Sequence, residues 1–305
     1  MANLVTNALV LSGSPQEILR AISSLIEGDA EALLAEAGKE GVDASWGTFT
    51  PEKIAPEPEV IKATSDGSSV EMGLALIAAG KAHGSIAEIG LAMLSGPDGA
   101  MAQADQDEIA AILSEGKDWL REKQNRDPFL SGMPAEYQMT APALLEKMGI
   151  LDEAGHLKPE KLNEDWAKAA LSAGIASVKA FQETGEFGWY DWRQKHWGSR
   201  AFDEDLRVEC LGDGSVALRF GSVNEAPLPF IRAFAAAHNA LEMSGASVEE
   251  DNDYAAFFVT DDEAPGGLLI EECHDRDGVI RAYSQIYGHP PYEEELDEEE
   301  EDPEP

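Results

Sequence analysis

The chain has 305 residues and a formal net charge of −37, from 59 acidic and 22 basic side chains. A field of that sign repels phosphates and anionic lipids, so direct binding of DNA, RNA or a membrane surface is disfavoured. Apolar residues form 43% of the sequence and recur along nearly all of it, which excludes a wholly disordered protein.

The N-terminal region alternates strand and helix signals. An apolar run at 4–11 predicts a strand, and Ser12 to Pro15 supply a turn, a cap and a first-turn proline for a helix that follows. A second helical stretch is predicted over 30–37 and a short strand over 46–49. Prolines at 51, 56 and 58 then predict a loop, because each proline removes a backbone donor.

The middle of the chain, from about 64 to 184, has the periodic apolar positions of a block of helices, the last of them over roughly 159–184. Strand signals return at 206–210 and 215–220, on either side of a Gly-Asp-Gly turn. A helix is predicted over 229–239 and strands over 254–260, 268–273 and 279–286, with Asp277-Gly278 as a second hairpin turn. The sequence therefore predicts an α+β fold.

The C-terminal third is the acidic pole of the chain. Residues 201–305 hold 28 acidic side chains against five arginines and no lysine. Beyond Tyr292, ten of thirteen residues are acidic, and such a run predicts a solvated tail.

A segment at 189–198 combines three tryptophans and a tyrosine with several polar residues. Its aromatic rings beside Arg193 could stack nucleic-acid bases, and Asp191 with His196 could form an acid/base pair. The density of rings favours a structural motif that anchors a helix to the core. We assign this motif to Tyr190, Asp191, Trp192, Arg193, Trp197 and Gly198.

Cys210 and Cys273 are too few for a disulfide scaffold or a four-thiolate zinc site, so we expect a reduced cytoplasmic protein. Cys273-His274-Asp275 resembles part of a nucleophilic or metal site, but neighbouring residues on a strand point to opposite faces. The geometry favours a small apolar cysteine beside a surface histidine. No catalytic, metal or cofactor motif is present, so we expect a non-enzyme with no cofactor.

Clusters of carboxylates recur along the acidic pole. They could hold a divalent cation, although none has the ligand spacing of a calcium loop, or they could be solvated faces. Their repetition costs stability through repulsion, which favours a binding role toward a basic partner. The candidate binding residues are Asp203, Glu204, Asp205, Glu249, Glu250, Asp251, Asp253, Asp261, Asp262, Glu263, Glu271 and Glu272.

Three segments, in order, resemble the Api92-like proteins, a family with a ferredoxin-like domain encoded mainly by bacteriophages and plasmids. The segment at 5–14 is similar to the family's first strand and Gly-Ser turn, and 49–58 to its Phe and Pro-x-Pro segment. The segment at 190–199 is the most specific, being similar to a Tyr-Asp-Trp-Arg-x-x-x-Trp-Gly-Thr pattern. Pro227 falls where the family places a proline ahead of its second long helix.

The resemblance implies a ferredoxin-like antiparallel sheet interrupted by a large helical insertion. The expected parts are a first portion at 1–62, the insertion at 63–185, a second portion at 186–288 and an acidic, disordered tail at 289–305. Ala201-Phe202 replaces the family's usual Lys-Trp pair, and the acidic tail is not part of its pattern. No active site is implied.

These features lead to one favoured hypothesis and three alternatives. The favoured function is inhibition of a host defence system, restriction or CRISPR type, by a phage or plasmid protein whose carboxylates mimic nucleic-acid phosphates. The alternatives are a non-mimetic adaptor that binds a host protein through the helical insertion, a metal-dependent enzyme, and acidity that reflects a halophilic origin. Twelve lysines in the first 200 residues argue against the last.

Overall fold

The computed structural model describes residues 3–39, 44–65, 67–83, 107, 110–112, 115, 117–126, 140–151, 158, 161, 165–202, 205–249 and 254–291. The chain forms two compact units. Met1–Pro56 and Arg193–Pro305 form one, which we call the sheet unit. Glu57–Trp192 forms the other, which we call the helical unit. The insertion expected at 63–185 lies inside the helical unit.

The secondary structure confirms the α+β class. In chain order the strands and helices are β1 Leu4–Ser12, α1 Pro15–Ser23, β2 Ile26–Glu27, α2 Ala30–Ala37, β3 Ala44–Phe49, α3 Glu59–Lys62, α4 Ser68–His83, α5 Trp119–Arg126, α6 Ala141–Lys147, α7 Asp165–Thr184, α8 Trp189–His196, β4 Asp205–Cys210, β5 Val216–Val223, α9 Leu228–Ala237, β6 Glu242–Glu249, β7 Tyr254–Thr260, β8 Leu268–Cys273 and α10 Arg276–Tyr287. Short 3-10 helices occupy Pro51–Lys53 and Pro265–Gly267.

The strands of the described residues form one antiparallel sheet in the order β2-β3-β4-β5-β1-β6-β7-β8. The central strand β1 buries its odd-numbered residues, among them Val5, Leu9 and Leu11, while its even-numbered residues are partly or largely exposed. Because side chains alternate along a strand, the sheet has two distinct faces. We call the face of Leu9 the core face and the opposite one the α10 face.

An aromatic cluster joins α9 to the core face. The rings of Phe49 and Phe220 stack with their centroids 4.8 Å apart, and Phe230 of α9 meets Phe49 edge-on at 5.7 Å. The ring centroid of Phe202 lies 5.2 Å from that of Phe230. Aromatic pairs of this kind stabilise a core beyond the area they bury.

The predicted cap and first-turn proline of α1 are confirmed. Ser14 Oγ accepts a hydrogen bond from the backbone N–H of Glu17 at 3.3 Å, and Glu17 Oε2 accepts one from the N–H of Ser14 at 3.1 Å. This reciprocal pair satisfies donors that the first helical turn leaves free. The helix buries Ile18, Ala21 and Ile22.

The strand predicted over 279–286 and the hairpin turn at Asp277-Gly278 are wrong. These residues lie in α10, which is capped by Asp275, whose Oδ1 accepts from the N–H of Gly278 at 2.7 Å. Val279, Ala282 and Ile286 pack against Ala246, Val248 and Ala255 on the α10 face of the sheet. Helical burial every three to four residues, together with an Asp cap, overrides the β-branched composition.

Strand β6 had no sequence prediction. It pairs with β1 on one side and β7 on the other, for example through Gly245 opposite Leu9 and Phe258. A Cβ at Gly245 would lie 2.1 Å from the carbonyl oxygen of Ala8, so the close approach of β1 requires glycine here.

Where it is described, the helical unit confirms the predicted block of helices. Leu74 and Ile77 of α4 share a buried cluster with Leu171 and Val178 of α7. Trp119 of α5 adds an edge-on ring contact to Phe181 at 5.8 Å. Among the helices of the described ranges, none combines the length and apolar character that crossing a bilayer requires.

Candidate functional site

A cavity of about 330 Å³ in the sheet unit gathers three glutamates around one tyrosine. Its apolar walls come from Ala226 and from the first two residues of α9, Leu228 and Pro229. We call it the acidic pocket. Its lining residues are Gln194, Gly198, Glu225, Ala226, Leu228, Pro229, Glu249, Tyr254 and Glu272.

Two strands and one turn bring the three carboxylates together. Glu249 ends β6 directly opposite Tyr254, which begins β7. Glu272 of β8 pairs with Ala256, two residues along β7 from Tyr254, so it shares the face of Tyr254. Glu225 lies in the turn before α9, where its carbonyl oxygen accepts from Ser222 Oγ at 2.8 Å.

Each glutamate of the pocket accepts a hydrogen bond from a neutral donor. Tyr254 OH donates to Glu272 Oε2 at 3.0 Å, and Asn3 Nδ2 donates to Glu249 Oε1 at 2.9 Å. Gln194 Nε2 donates to Glu225 Oε1 at 3.0 Å. These donors hold the three carboxylates in place.

The Tyr254 phenol lies among the three carboxylates of the pocket. Burial raises the pKa of Tyr254 far above its usual value, and the hydrogen bond to Glu272 and the charges of Glu272, Glu225 and Glu249 raise it further. All three carboxylates therefore act on one phenol. Glu249 is only 6% exposed, which places one of these charges in the interior of the unit.

One acceptor in the pocket lining is left unsatisfied by the fold. Gln194 Oε1 is buried and has no hydrogen-bond partner among the described residues. Buried polar atoms normally have a hydrogen-bond partner, which can be an ordered water as well as a protein group.

The sequence singled out two of the three carboxylates. Glu249 and Glu272 were candidate binding residues, whereas Glu225, Tyr254 and Gln194 were not. No local pattern links 194, 225, 249, 254 and 272, because they meet only through the strand register and the turn before α9.

The other predicted binding acids are spread over the unit. Glu271 lies on the α10 face, where its Oε1 accepts from Arg281 Nη2 at 3.0 Å. Asp261, Asp262 and Glu263 follow β7, and Asp261 Oδ1 accepts from the N–H of Glu263 at 2.9 Å. Asp205 begins β4. Asp203, Glu204, Glu250, Asp251, Asp253 and the tail beyond 291 lie outside the described residues.

The aromatic motif contains buried and exposed members. Trp192, in the helical unit, is buried, and Tyr190 is 39% exposed. In the sheet unit, buried Trp197 donates from Nε1 to the carbonyl oxygen of Ala55 at 2.9 Å, and the Arg193 guanidinium lies 4.8 Å from its ring centroid. Asp191 lies inside α8. The structural role of the motif stays a prediction.

Cys273 and His274 do not face each other. The His274 ring lies 5.2 Å from the Tyr254 ring, whereas Cys273 Sγ lies 3.7 Å from Glu271 Oε1 and 3.5 Å from Arg281 Nη2. Burial raises the pKa of the Cys273 thiol, which opposes formation of the thiolate.

The carboxylates of the acidic pocket are not at metal-ligand spacing. Within the ranges that the structure describes, no three histidine, cysteine, aspartate or glutamate side chains stand close enough to hold a metal ion. The arrangement suits a cationic group on an apolar stem, because the pocket combines carboxylates with walls of Ala226, Leu228 and Pro229.

Comparison with known proteins gives one weak likeness. No protein-family model matches the chain, and no curated protein matches it. A solved structure of a protein api92 from Yersinia pseudotuberculosis, with the family model DUF1281, is similar at a TM-score of 0.31 and 11% identity, over 92% of this chain and 96% of that one. A TM-score of this size does not establish a common fold.

Proposed function

We propose that this chain is an acidic inhibitor that binds a basic, nucleic-acid-binding protein of a bacterial defence system, of restriction or CRISPR type, in place of nucleic acid. The observation that carries the proposal is the acidic pocket, where Glu225, Glu249 and Glu272 gather around Tyr254 in one cavity. A lysine or arginine of the partner that normally meets a phosphate would meet these carboxylates instead.

The chemistry of the pocket fits a basic side chain better than a metal ion or an anion. Its apolar walls can pack the methylene stem of a lysine or arginine, and its oxygens can accept from the charged head. The net charge of −37 would also speed the encounter with a basic partner and make it sensitive to salt. Such a partner places the chain in the bacterial cytoplasm.

The proposal includes membership of the Api92-like family and a ferredoxin-like core of phage or plasmid origin. In support, β4, β5, β1 and β6 stand side by side in that order with antiparallel pairing. Taken in chain order, β1, α1, β4, β5, α9 and β6 follow the β-α-β-β-α-β sequence of that fold. The elements β2, α2, β3 and the helical unit lie between α1 and β4.

The test is competition for nucleic acid. Purified restriction and CRISPR effector complexes are loaded with labelled DNA or RNA, and its release by the full chain is followed by fluorescence anisotropy. We expect Glu225→Gln, Glu249→Gln and Glu272→Gln together to weaken release about tenfold, since each removes a charge and keeps the side-chain size. Raised salt should weaken it as well.

The matched control removes the same charge elsewhere. Glu27→Gln, Glu31→Gln and Glu146→Gln together neutralise three exposed carboxylates outside the pocket and should change release less than about twofold. Nucleic acid that stays on every complex would overturn the proposal. Partner binding that survives the pocket variants but is lost when the helical insertion at 63–185 is removed would favour the adaptor.

A further inference from the structure

The α10 face of the sheet carries a line of side chains that crosses five strands. Val10 lies directly opposite Ala217 on β5 and Ser244 on β6. Ser244 lies opposite Val259 on β7, which in turn lies opposite Leu269 on β8. Directly opposed residues point to the same face, so these five side chains form a continuous line. We call Ala217, Val10, Ser244, Val259 and Leu269 the open row.

Four of the five members of the open row are apolar, and the row is poorly covered. Leu269 is 51% exposed and Val259 is 45% exposed, and the other three members are half-buried. Large apolar side chains in contact with each other at the surface are typical of interaction sites, whereas single ones are common anywhere.

Helix α10 covers the neighbouring part of the same face and shows how a second helix would lie there. Gly278, near its start, is held against Cys273 of β8, and Tyr287, at its end, donates from OH to Thr6 Oγ1 of β1 at 3.2 Å. The helix therefore runs across the strands from β8 toward β1. A helix beside it, on the open row, would cross the same strands.

Acidic side chains border the open row on the side away from α10. Glu242 and Asp262 are exposed and line a cleft of about 490 Å³ at the end of the strands, which contains Val10, Ser244 and Val259 of the row and also Ala235 and Ala236 of α9 from the core face. Two arginines of this face pair with carboxylates: Arg219 lies 3.6 Å from Glu209, and Arg281 donates to Glu271. The cleft is thus negative beside an apolar floor.

We propose that the open row is the docking site for an amphipathic, basic helix of the partner, with apolar side chains on the row and lysines or arginines toward Glu242 and Asp262. This inference rests on the proposed function, which supplies a basic partner. Five strands span about 19 Å, which matches a helix of about 13 residues. A second copy of this chain is a poor occupant, because two chains of charge −37 repel each other.

A defined peptide tests the site on the full chain. The probe is a labelled helical peptide of about 14 residues, made of leucine on one face and lysine on the other. A scrambled peptide of the same composition has the same charge without the apolar face. We expect the amphipathic peptide to bind about tenfold more tightly than the scrambled one, and its amide chemical-shift effects to centre on the open row.

Matched variants distinguish peptide binding at the row from nonspecific hydrophobic binding. Val259→Ser with Leu269→Ser should weaken binding of the amphipathic peptide about tenfold, whereas Leu4→Ser should change it less than about twofold. Leu4 is 57% exposed on the same face, at the other end of β1. Equal binding of the two peptides, or equal losses in the two variants, would overturn the proposal. So would self-association of the wild-type chain that the double serine variant abolishes.

The outcome is separable from that of the proposed function. The three control changes of the competition experiment, Glu27→Gln, Glu31→Gln and Glu146→Gln, should leave peptide binding within about twofold, because none of these exposed residues lines the row or its cleft. If nucleic acid is never displaced but the peptide still binds at the row, the proposed function fails and the docking site stands. If nucleic acid is displaced but the peptide does not bind at the row, the docking site is wrong and the proposed function stands.

Discussion

Gly73 of α4 and Gly174 of α7 face each other where the two helices pack, and neither position has room for a methyl group. A Cβ at Gly73 would lie 1.9 Å from the carbonyl oxygen of Ala170 and 2.7 Å from the nitrogen of Gly174. A Cβ at Gly174 would lie 2.6 Å from the carbonyl carbon of Gly73. The obstructing atoms belong to the backbone, so they cannot turn aside as the end of a side chain can.

We expect Gly73→Ala to destabilise the protein by about 1 to 3 kcal/mol, because the overlap pushes the helices apart and loosens their cluster. In an open helix the same change would stabilise by up to about 1 kcal/mol, so the sign of the effect is diagnostic. Urea unfolding followed by circular dichroism measures it. Ser172→Ala, at an exposed position of α7, is the control and should not destabilise. A more stable Gly73→Ala variant would show that the helices are not in backbone contact.

A second prediction concerns Gly198, at the end of the aromatic motif. Its φ is +73°, and a Cβ there would lie 2.5 Å from Pro229 Cδ and 3.2 Å from the carbonyl oxygen of Ala226. Gly198→Ala therefore combines left-handed strain with a clash, and we expect a loss of about 2 kcal/mol or more. Gly214→Ala has a φ of +88° and open space, so it should cost only the strain. Equal losses for the two variants in thermal unfolding would show that the Pro229 contact is unimportant.

The third prediction concerns Asn7, which is fully buried in the middle of β1. Its Nδ2 donates to the carbonyl oxygen of Phe220 at 3.2 Å and to Ser222 Oγ at 3.0 Å, and its Oδ1 accepts from Ser247 Oγ at 2.6 Å. Asn7→Ala leaves these buried partner groups without their hydrogen bonds, so we expect the free energy of unfolding to fall by about 2 kcal/mol or more. Ser247→Ala should cost about 1 kcal/mol.

The double variant distinguishes a network from two independent sites. Because Ser247 and Asn7 share one hydrogen bond, Asn7→Ala with Ser247→Ala should cost clearly less than the two single losses added together. Unfolding free energies from urea titration give the comparison. Strict additivity would show that the bond between Ser247 and Asn7 contributes nothing.

Local chemistry explains which elements could be predicted from the sequence. The turn, the proline and the cap ahead of α1 act within a few residues, and they specify where the helix begins. In α10, Val279, Ala282, Tyr283 and Ile286 have the helical spacing and Asp275 the cap, but Asp277-Gly278 resembles a hairpin turn equally well. This apolar face packs on the sheet, and the packing selects the helix over the hairpin turn. The strands of that sheet come from segments distant in the sequence, so the residues of α10 alone do not reveal the choice.

Nonlocal pairing explains what could not be predicted. Strand β6 contains Ser244, Gly245 and Ser247, which have little intrinsic preference for strands, and β1 and β7 impose the conformation from both sides. The acidic pocket has the same origin. Glu249 and Glu272 belong to acidic clusters visible in the sequence, but only the register of β6, β7 and β8 brings them to Tyr254.

The last prediction concerns the response of stability to pH at His238, which follows α9. Its Nε2 lies 2.9 Å from Ser24 Oγ. Burial lowers the pKa of this histidine below its usual value, and the charge of Arg20 lowers it further. The unfolded chain therefore takes up a proton on His238 at a higher pH than the folded one, so its contribution to stability is complete above about pH 6.5 and is lost as the pH falls through the folded-state pKa.

We expect His238→Gln to remove this dependence. The difference in unfolding free energy between wild type and variant should shift in favour of the variant between about pH 7.5 and about pH 5, because glutamine takes up no proton. The many carboxylates titrate in both proteins and cancel in that difference. Ser24→Ala is the control: it removes the hydrogen bond and leaves burial and Arg20 in place, so the pH dependence should persist. A difference that stays constant over this range would mean that His238 titrates alike in the folded and unfolded chains, contrary to its burial beside Arg20.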